Sequence, residues 1–570
     1  MAMSGGRLVV RALEDEGVPF TFGIPGTHNI ELYDALAESS SVRAVLVTDE
    51  QSASFMADAV WRASGRLACV NVVPGAGLTH AMSGIAEAFM DTIPMLVLGC
   101  GIRRDTGKAF QLHDVDQMAM VRPVTKAQFL PEKGESLYRV VREACAVARS
   151  GVPGPVFIEV PANLYLFTHD GPLTAPAPEP VIAPSSQAIQ KAVDILKRVR
   201  QPLIYAGLGA AGAQEALLEL AERLGAPVCT TFQGKGVFPE SRPGALWPGF
   251  GEAAPPFVQE IVRQCDATLA VGCRFGEVAT ASYGVTPPRP LIHIDIDPAV
   301  PGRNYTADVA IRGDAAEILP KLVRAVPART RSEVLPKLIR QGREAVRREW
   351  ESQDGERVSP YRLLTALQQR FGPETVFCTD SGNGTFLAME MLRLDRPGKF
   401  LAPVDYSCMG YSVPAAIAAK LARPDCPVVA LAGDGAFLMT GLELLTAAHL
   451  GVGVAVFVLR DRELAQIAQI QSVAMNRKTA SVLPDYDLTL LCAGLGVTCV
   501  GLESNERIGA VLEQVAETTA AGRPIVVDVG IDYSHKTYFT RGVVKTNLGR
   551  LPWLDRLRFI GRALARRLSG

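Results

Sequence analysis

Apolar residues fall along this chain in two alternating patterns. Short unbroken runs of Val, Ile, Leu and Ala predict strands buried on both faces. Between them, longer stretches place apolar residues every third or fourth position, the spacing of helices with one buried face. Their alternation predicts an α/β fold of parallel sheets flanked by helices. A first unit runs to about residue 168, with strand-like runs at 20–24, 44–47, 68–73, 95–98 and 156–160. A polar stretch rich in Pro and Ala, 168–187, reads as a linker. The second unit has strand candidates at 203–206, 228–231, 267–271 and 291–295, and a charged helical segment at 332–350 leads out of it. The third holds candidates at 376–379, 399–401, 428–432 and 454–459. Three domains follow, at 1–168, 188–325 and 358–532. The first and third share a strand–helix rhythm that suggests a duplicated architecture.

Composition narrows the class. At 570 residues the chain exceeds what one core supports. It is 48% hydrophobic and 21% charged with a formal charge of −1, a balance that gives no reason to expect nucleic acid as a partner. Eleven scattered cysteines with no CxxC pair fit free thiols in a reducing compartment better than a disulfide frame or a zinc site. The first ten residues, MAMSGGRLVV, lack the apolar core of a signal peptide, and no apolar stretch reaches membrane-spanning length. A cytoplasmic protein is the expectation. The segment 545–570 stands apart. There Trp553, Leu554, Leu557, Phe559, Ile560, Leu564 and Leu568 interleave with Arg556, Arg558, Arg562, Arg566 and Arg567. Such a basic amphipathic helix packs on its own body or rests on an anionic membrane; the first is the expectation, with membrane contact as the alternative.

Candidate chemistry is densest between residues 428 and 463. An apolar run, 428–432, enters Gly433-Asp434-Gly435 and then a helix-like stretch, 437–450. A second apolar run, 454–459, ends at Arg460-Asp461-Arg462-Glu463. Gly-Asp-Gly by itself is also a common hairpin turn. Here it joins a buried strand to a helix, and a second acidic strand end follows one βαβ crossover later. Two such strand tips can hold a divalent ion against a diphosphate, because glycine admits the backbone closely and the helix start offers N–H groups. Asp434 and Asp461 are oxygen ligands suited to Mg²⁺.

This spacing resembles the signature of thiamine-diphosphate (ThDP) enzymes, in which Gly-Asp-Gly is followed one crossover later by Asn-Asn. Arg460 and Asp461 stand at the Asn positions, and Asp461 can still ligate magnesium. Such an enzyme also needs a carboxylate in a water-poor place to hold a proton for the cofactor's pyrimidine ring. Glu50, at a strand end before a small-residue helix, is the candidate, although an acid at a helix start is also favoured by the dipole alone. Further motifs widen the match: Phe-Gly-Ile-Pro-Gly at 22–26, the glycine-rich segment 75–80, Pro-Val-Thr-Lys at 123–126 and His-Ile-Asp-Ile-Asp-Pro at 293–298. Together they closely resemble the acetolactate synthase-like family of ThDP enzymes from about residue 7 to residue 530.

The resemblance implies a pyrimidine-binding first domain, a Rossmann-like middle domain and a diphosphate-binding third domain. Each site would be completed across the interface of a homodimer or homotetramer. Glu50 would activate the cofactor, and Asp434, Asp461 and the Glu463 carbonyl would ligate Mg²⁺. Gly433, Gly435, Ala436 and the turn Gly382-Asn383-Gly384 would face the diphosphate. Met409 would prop the bent cofactor between its rings, and Gly26 and Gly77 belong to the motifs that adjoin it. Gln111 matches a pocket glutamine. His28 and His113 fall on loops near the expected reaction centre, where each either touches substrate or is structural. The implied activity is decarboxylation of a 2-oxo acid with carboligation to a second carbonyl; the alternatives are simple decarboxylation and 2-hydroxyacyl-CoA cleavage.

Several departures bear on specificity. Gly276-Glu277 follows Arg274-Phe275 where the family's flavin site has a doubled Asp-Arg, which argues against FAD. Gly207-Leu208-Gly209-Ala210-Ala211-Gly212 fits a dinucleotide-type turn but lacks a ribose-binding acid beyond it; it reads as the middle domain's own turn, with an adenine-nucleotide site as the lesser option. Ile470 and Gln466 stand where acetohydroxyacid synthases carry Trp and Met, and His80 and Ala76 replace the family's Asn and Pro in the glycine-rich segment. An altered acceptor pocket is expected.

Overall fold

The computed structural model describes residues 2–177, 183–330, 333–353 and 355–569. Part of the linker stretch, 178–182, and the first residue of the charged helical segment, 332, lie outside the described residues.

Eighteen strands form three six-stranded parallel sheets. The first sheet contains β1 (Phe20–Gly23), β2 (Arg43–Leu46), β3 (Cys69–Val72), β4 (Met95–Gly101), β5 (Ala127–Phe129) and β6 (Pro155–Pro161). The second contains β7 (Pro202–Ala206), β8 (Val228–Thr230), β9 (Ala245–Pro248), β10 (Ala267–Val271), β11 (Leu291–Asp295) and β12 (Val309–Arg312). The third contains β13 (Val376–Thr379), β14 (Phe400–Leu401), β15 (Val428–Gly433), β16 (Ala455–Arg460), β17 (Thr498–Leu502) and β18 (Ile525–Gly530). The first sheet runs β2-β1-β3-β4-β6-β5 and the third β14-β13-β15-β16-β18-β17, so both follow the same path. The second runs β9-β8-β7-β10-β11-β12, the doubly wound order of a Rossmann sheet.

The expected α/β fold of three helix-flanked parallel sheets is therefore present, and the reading differs from it in detail. Strands β5, β9, β12 and β17 were not anticipated, and each is a sheet edge; β12 and β17 keep exposed positions, β5 is half-buried, and β9 is buried but only four residues long and ends at Pro248. Internal β18, which is apolar, was also overlooked. The helix expected over 437–450 is broken. It runs Asp434–Thr440, tightens into a 3₁₀ turn at Gly441–Glu443 and resumes at Leu444–Leu450.

The outer domains of one chain pack on each other. The helix Glu50–Ser64 lies against Ser412–Ala422, and alanines on both faces (Ala53, Ala57, Ala415, Ala419) let the backbones approach. At that joint Arg62 bridges Asp58 at 2.6 Å and Asp91 at 2.8 Å, while the Tyr411 hydroxyl donates to Asp58 at 2.6 Å. Arg62 and Asp91 also hold the third domain directly, Arg62 through the Ala402 carbonyl and Asp91 through the Asp405 N–H.

Near its end the chain forms a helix, Tyr538–Arg550, and then a second, Trp553–Ser569. The second docks on Ala465–Met475: the Arg566 guanidinium donates to the Met475 carbonyl at 3.2 Å, and the Asn476 amide to the Arg566 carbonyl at 2.9 Å. Trp553, Leu554 and Leu557 remain exposed, and the side chains of Phe559, Ile560, Leu564, Arg567 and Leu568 lie outside the described ones. Among the described residues no helix is long and apolar enough to cross a membrane. All eleven cysteines are unpaired.

Candidate functional site

Strands β15 and β16 are parallel neighbours in register, Gly433 opposite Leu459, so the segments leaving their carboxyl ends start side by side. Asp434 begins the helix after β15 and Asp461 follows the last residue of β16. Asp434 is buried and accepts the Gly435 N–H at 2.8 Å and the Arg462 N–H at 2.7 Å. Arg462 reaches that position through a left-handed backbone (φ 62°), a strained conformation for a residue with a Cβ. Asp461, half-buried, accepts the Glu463 N–H at 3.3 Å. Burial raises both carboxyls, and the Asp434 charge helps push Asp461 up to about 7.

These residues fit a hard divalent cation. The donors are all oxygen, the carboxylates repel each other, and a dipositive ion between them would relieve that repulsion. The glycines fit as well. A Cβ on Gly435 would lie 2.5 Å from Leu464 and 3.5 Å from the Met409 methyl, whereas Gly433 faces open space. Glu463 pairs in an isolated bridge with Val482, and its carboxylate contacts Lys478. Arg460, at the family's first Asn position, turns away. It donates to Asp528 at 2.7 Å and to the Tyr486 carbonyl at 2.7 Å, and its guanidinium lies 4.8 Å from the Tyr486 ring.

Gly382, at φ +129°, caps the helix Asn383–Met391 beyond β13, and Ala436 is buried in the helix after Asp434. Met409 sits half-buried on a loop with a sharply defined anchor. The buried Asp380 carboxylate accepts the N–H groups of Gly410 and Ser412, both at 2.9 Å, and the Ser412 hydroxyl at 2.8 Å. Desolvation pushes Asp380 up to about 6 despite those bonds. The first domain adds Glu87, pushed up to about 9 by burial, which accepts the Cys408 N–H at 3.0 Å.

Glu50 opens its helix one residue after the cap Asp49, whose side chain accepts the Gln51 N–H. It is buried at 7% exposure, with one oxygen 3.0 Å from where a Gly77 Cβ would sit and the other 3.4 Å from His80. Asp49, Glu50 and His80 thus form an acidic pair facing one imidazole. Gly26 and Gly77 both pack on Val73, at 2.5 and 2.9 Å from their missing Cβ positions. Gly75 takes a backbone (φ 65°) that favours glycine, and the buried Gln117 side chain bridges it to β4 through the Gly75 N–H and the Cys100 carbonyl.

His28 and His113 come together, their rings edge-on with centroids 5.5 Å apart. Burial and the neighbouring imidazole lower the His28 value. Gln111 is half-buried on the same segment, between the exposed Phe110 and Leu112. Ile470 is exposed on the helix Ala465–Met475, which starts just beyond Glu463. Within one chain and among the described residues, no recorded contact joins Glu50 to Asp434 or Asp461.

Asp380, Glu87, Gln117 and Glu443 were not singled out from sequence. Glu443 is fully buried and accepts the Thr48 N–H at 3.2 Å and the Thr48 hydroxyl at 2.7 Å, fixing the loop that leads into Glu50. In the middle domain, a Cβ on Gly207 would lie 2.2 Å from the Gly272 carbonyl oxygen and one on Gly209 2.7 Å from the Gly272 Cα. Those glycines are required by backbone packing between two strand ends.

Comparison with known proteins converges with this geometry. Residues 3–120, 189–322 and 380–529 match family models described as the N-terminal TPP-binding, central and C-terminal TPP-binding domains of thiamine pyrophosphate enzymes. The "Probable acetolactate synthase large subunit" of Methanocaldococcus jannaschii is 32% identical over 561 residues, covering 93% of this chain and 92% of that protein. An acetolactate synthase of Mycobacterium bovis is 31% identical, with 93% and 88% covered. The acetolactate synthase isozyme 3 large subunit of Escherichia coli is 29% identical, with 94% and 96% covered.

Proposed function

The chain belongs to the acetolactate synthase-like family of thiamine-diphosphate-dependent enzymes, and from that premise we propose that it decarboxylates a 2-oxo acid and ligates the product to a second carbonyl. The observation that carries the reading is the pair of mutually repelling carboxylates at adjacent strand tips, buried Asp434 and half-buried Asp461. They would hold Mg²⁺ together with the Glu463 carbonyl. The N–H groups around Gly433, Gly435 and Ala436 and the Gly382-Asn383-Gly384 turn would face the diphosphate. Bound ThDP supplies the electron sink that lets a 2-oxo acid lose CO₂. Glu50 would hold a proton toward the pyrimidine ring, screened from water by the Gly77 turn. Met409, held by Asp380, would support the cofactor between its rings. His28, His113 and Gln111 would border the substrate on the first-domain side.

The reading assigns 1–168 to the pyrimidine, 358–532 to the diphosphate and metal, and 188–325 to a Rossmann-like unit whose Gly276-Glu277 departure argues against FAD. The Glu50 that serves a given metal pair would come from a second copy of the chain. Two observations support this: Glu50 makes no contact with its own chain's Asp434 or Asp461, and Leu438, Met439, Leu442 and Leu445, just beyond Asp434, stay exposed in the single chain.

The test is incubation with pyruvate, ThDP and Mg²⁺ and quantification of condensed and free products. Acetolactate or another 2-hydroxy-2-acyl acid supports carboligation. Acetaldehyde alone would make the protein a simple decarboxylase. If no 2-oxo acid in a broad panel is consumed, the assignment fails.

A further inference from the structure

Away from these residues, a cavity of about 1070 Å³ lies between the middle domain's edge strand β9, the helix Val334–Glu351 and the third-domain helices Pro360–Phe371 and Asn383–Met391. Small-molecule sites reach about 1,000 Å³, so it has room for a nucleotide-sized ligand. None of the cofactor residues lines it.

Its chemistry is one-sided. Among the described residues, seven arginines and four glutamates line it. Glu344 is spent on Arg347, and Glu390, which accepts the Phe539 N–H at 2.8 Å, is pushed up to about 8 by burial, into its neutral form at pH 7. Arg343 is committed to the carbonyls of Ala245 at 2.6 Å and Glu240 at 3.0 Å. Arg393 differs. Among the described residues its guanidinium has no carboxylate or hydrogen-bond acceptor, only the Trp247 ring with its centroid 6.0 Å away. The nearby Glu240 is already held by Lys235 at 2.9 Å. Two tryptophans on the wall, Trp247 at 3% and Trp350 at 2% exposure, have indole N–H groups without an acceptor. Both nitrogens are sealed from the cavity, so the indoles meet it through their rings, and the Arg393 guanidinium is the donor left without an acceptor beside them.

We propose that this cavity is a second binding site, for a small organic anion carrying a planar ring. Arg393 provides the fork for the anion, and the rings of Trp247 and Trp350 the apolar wall. Phosphate and carboxylate share this chemistry.

The test uses the full-length protein with ThDP and Mg²⁺ and the fluorescent probe 8-anilinonaphthalene-1-sulfonate, with energy transfer from tryptophan as the signal; two of the chain's four tryptophans line the cavity. Saturable binding is expected, weakened about tenfold or more by Arg393→Gln. Arg393→Lys should recover part of the affinity, and turnover in the absence of the probe should not change. Trp247→Phe, which shrinks the aromatic wall beside Arg393, should weaken binding about threefold or more and serves if Arg393→Gln does not fold. Displacement by ADP assigns the anion to phosphate, and displacement by indole-3-acetate assigns it to carboxylate. The proposal is overturned if neither displaces the probe, or if the folded variants bind it as tightly as wild type.

Discussion

Removing one charge from the metal pair should stabilise the empty protein while still leaving an oxygen ligand for the metal. In Asp461→Asn the half-buried carboxylate beside Asp434 becomes neutral. The folded value of Asp461, about 7, lies above the ordinary 3.8. The folded chain therefore holds that proton more tightly than the unfolded chain. The resulting penalty is absent below pH 4, grows as pH rises toward 7 and is complete above it. Three pH units correspond to about 4 kcal/mol, which partial access to solvent reduces to about 2. The assay is thermal unfolding after metal removal with EDTA, at pH 5 and pH 8, followed by addition of ThDP and Mg²⁺. At pH 8 the empty variant should melt several degrees above wild type, with a smaller gap at pH 5. Wild type should then gain stability from ThDP and Mg²⁺, and the variant should gain as well, because asparagine is the residue the resembling family carries at this position. An empty variant no more stable than wild type at pH 8 would refute the electrostatic argument.

Other perturbations separate the parts of the site. Glu50→Gln should bind ThDP and Mg²⁺ normally by calorimetry yet lose most turnover; near-normal rates would remove Glu50 from its role. Asp380→Ala strands two N–H donors and one hydroxyl in the buried loop that carries Met409, so a loss of about 2–4 kcal/mol is expected in denaturant unfolding, with weaker ThDP binding. An unchanged stability would mean the loop has another anchor. Truncation after Leu551 removes the docked terminal helix and should leave kcat within about twofold, with no binding of anionic vesicles by either form. Vesicle binding by the full chain alone would give that helix a membrane role.

What the sequence made legible was local. The run into Gly433-Asp434-Gly435 and the second acidic strand end at Asp461 could be placed because both strands are apolar throughout and the crossover between them has fixed reach. Half-wet edge strands such as Thr498–Leu502 were hidden because they lack that signal, and the buried edge strand Ala245–Pro248 because four residues are too short to carry it. The buried acceptors were hidden for another reason. Asp380 acts on a loop 30 residues later and Glu443 on Thr48, 395 residues earlier, so nothing adjacent in sequence reveals what either holds. The broken helix at Gly441 has the same origin. The Gly441–Glu443 turn carries the carboxylate that grips Thr48, a tertiary demand that periodicity does not register.

The central claim is that one chain's strand-tip aspartates work with another chain's glutamate. Mixing inactive Glu50→Gln with inactive Asp434→Asn, after dissociation and reassociation, tests it directly. If sites form between chains, each mixed dimer holds one site with both groups intact. Statistical pairing should then restore about a quarter of wild-type turnover. If mixed dimers form and activity stays at the level of the separate variants, Glu50 and Asp434 do not meet across an interface, and the account of this site is wrong.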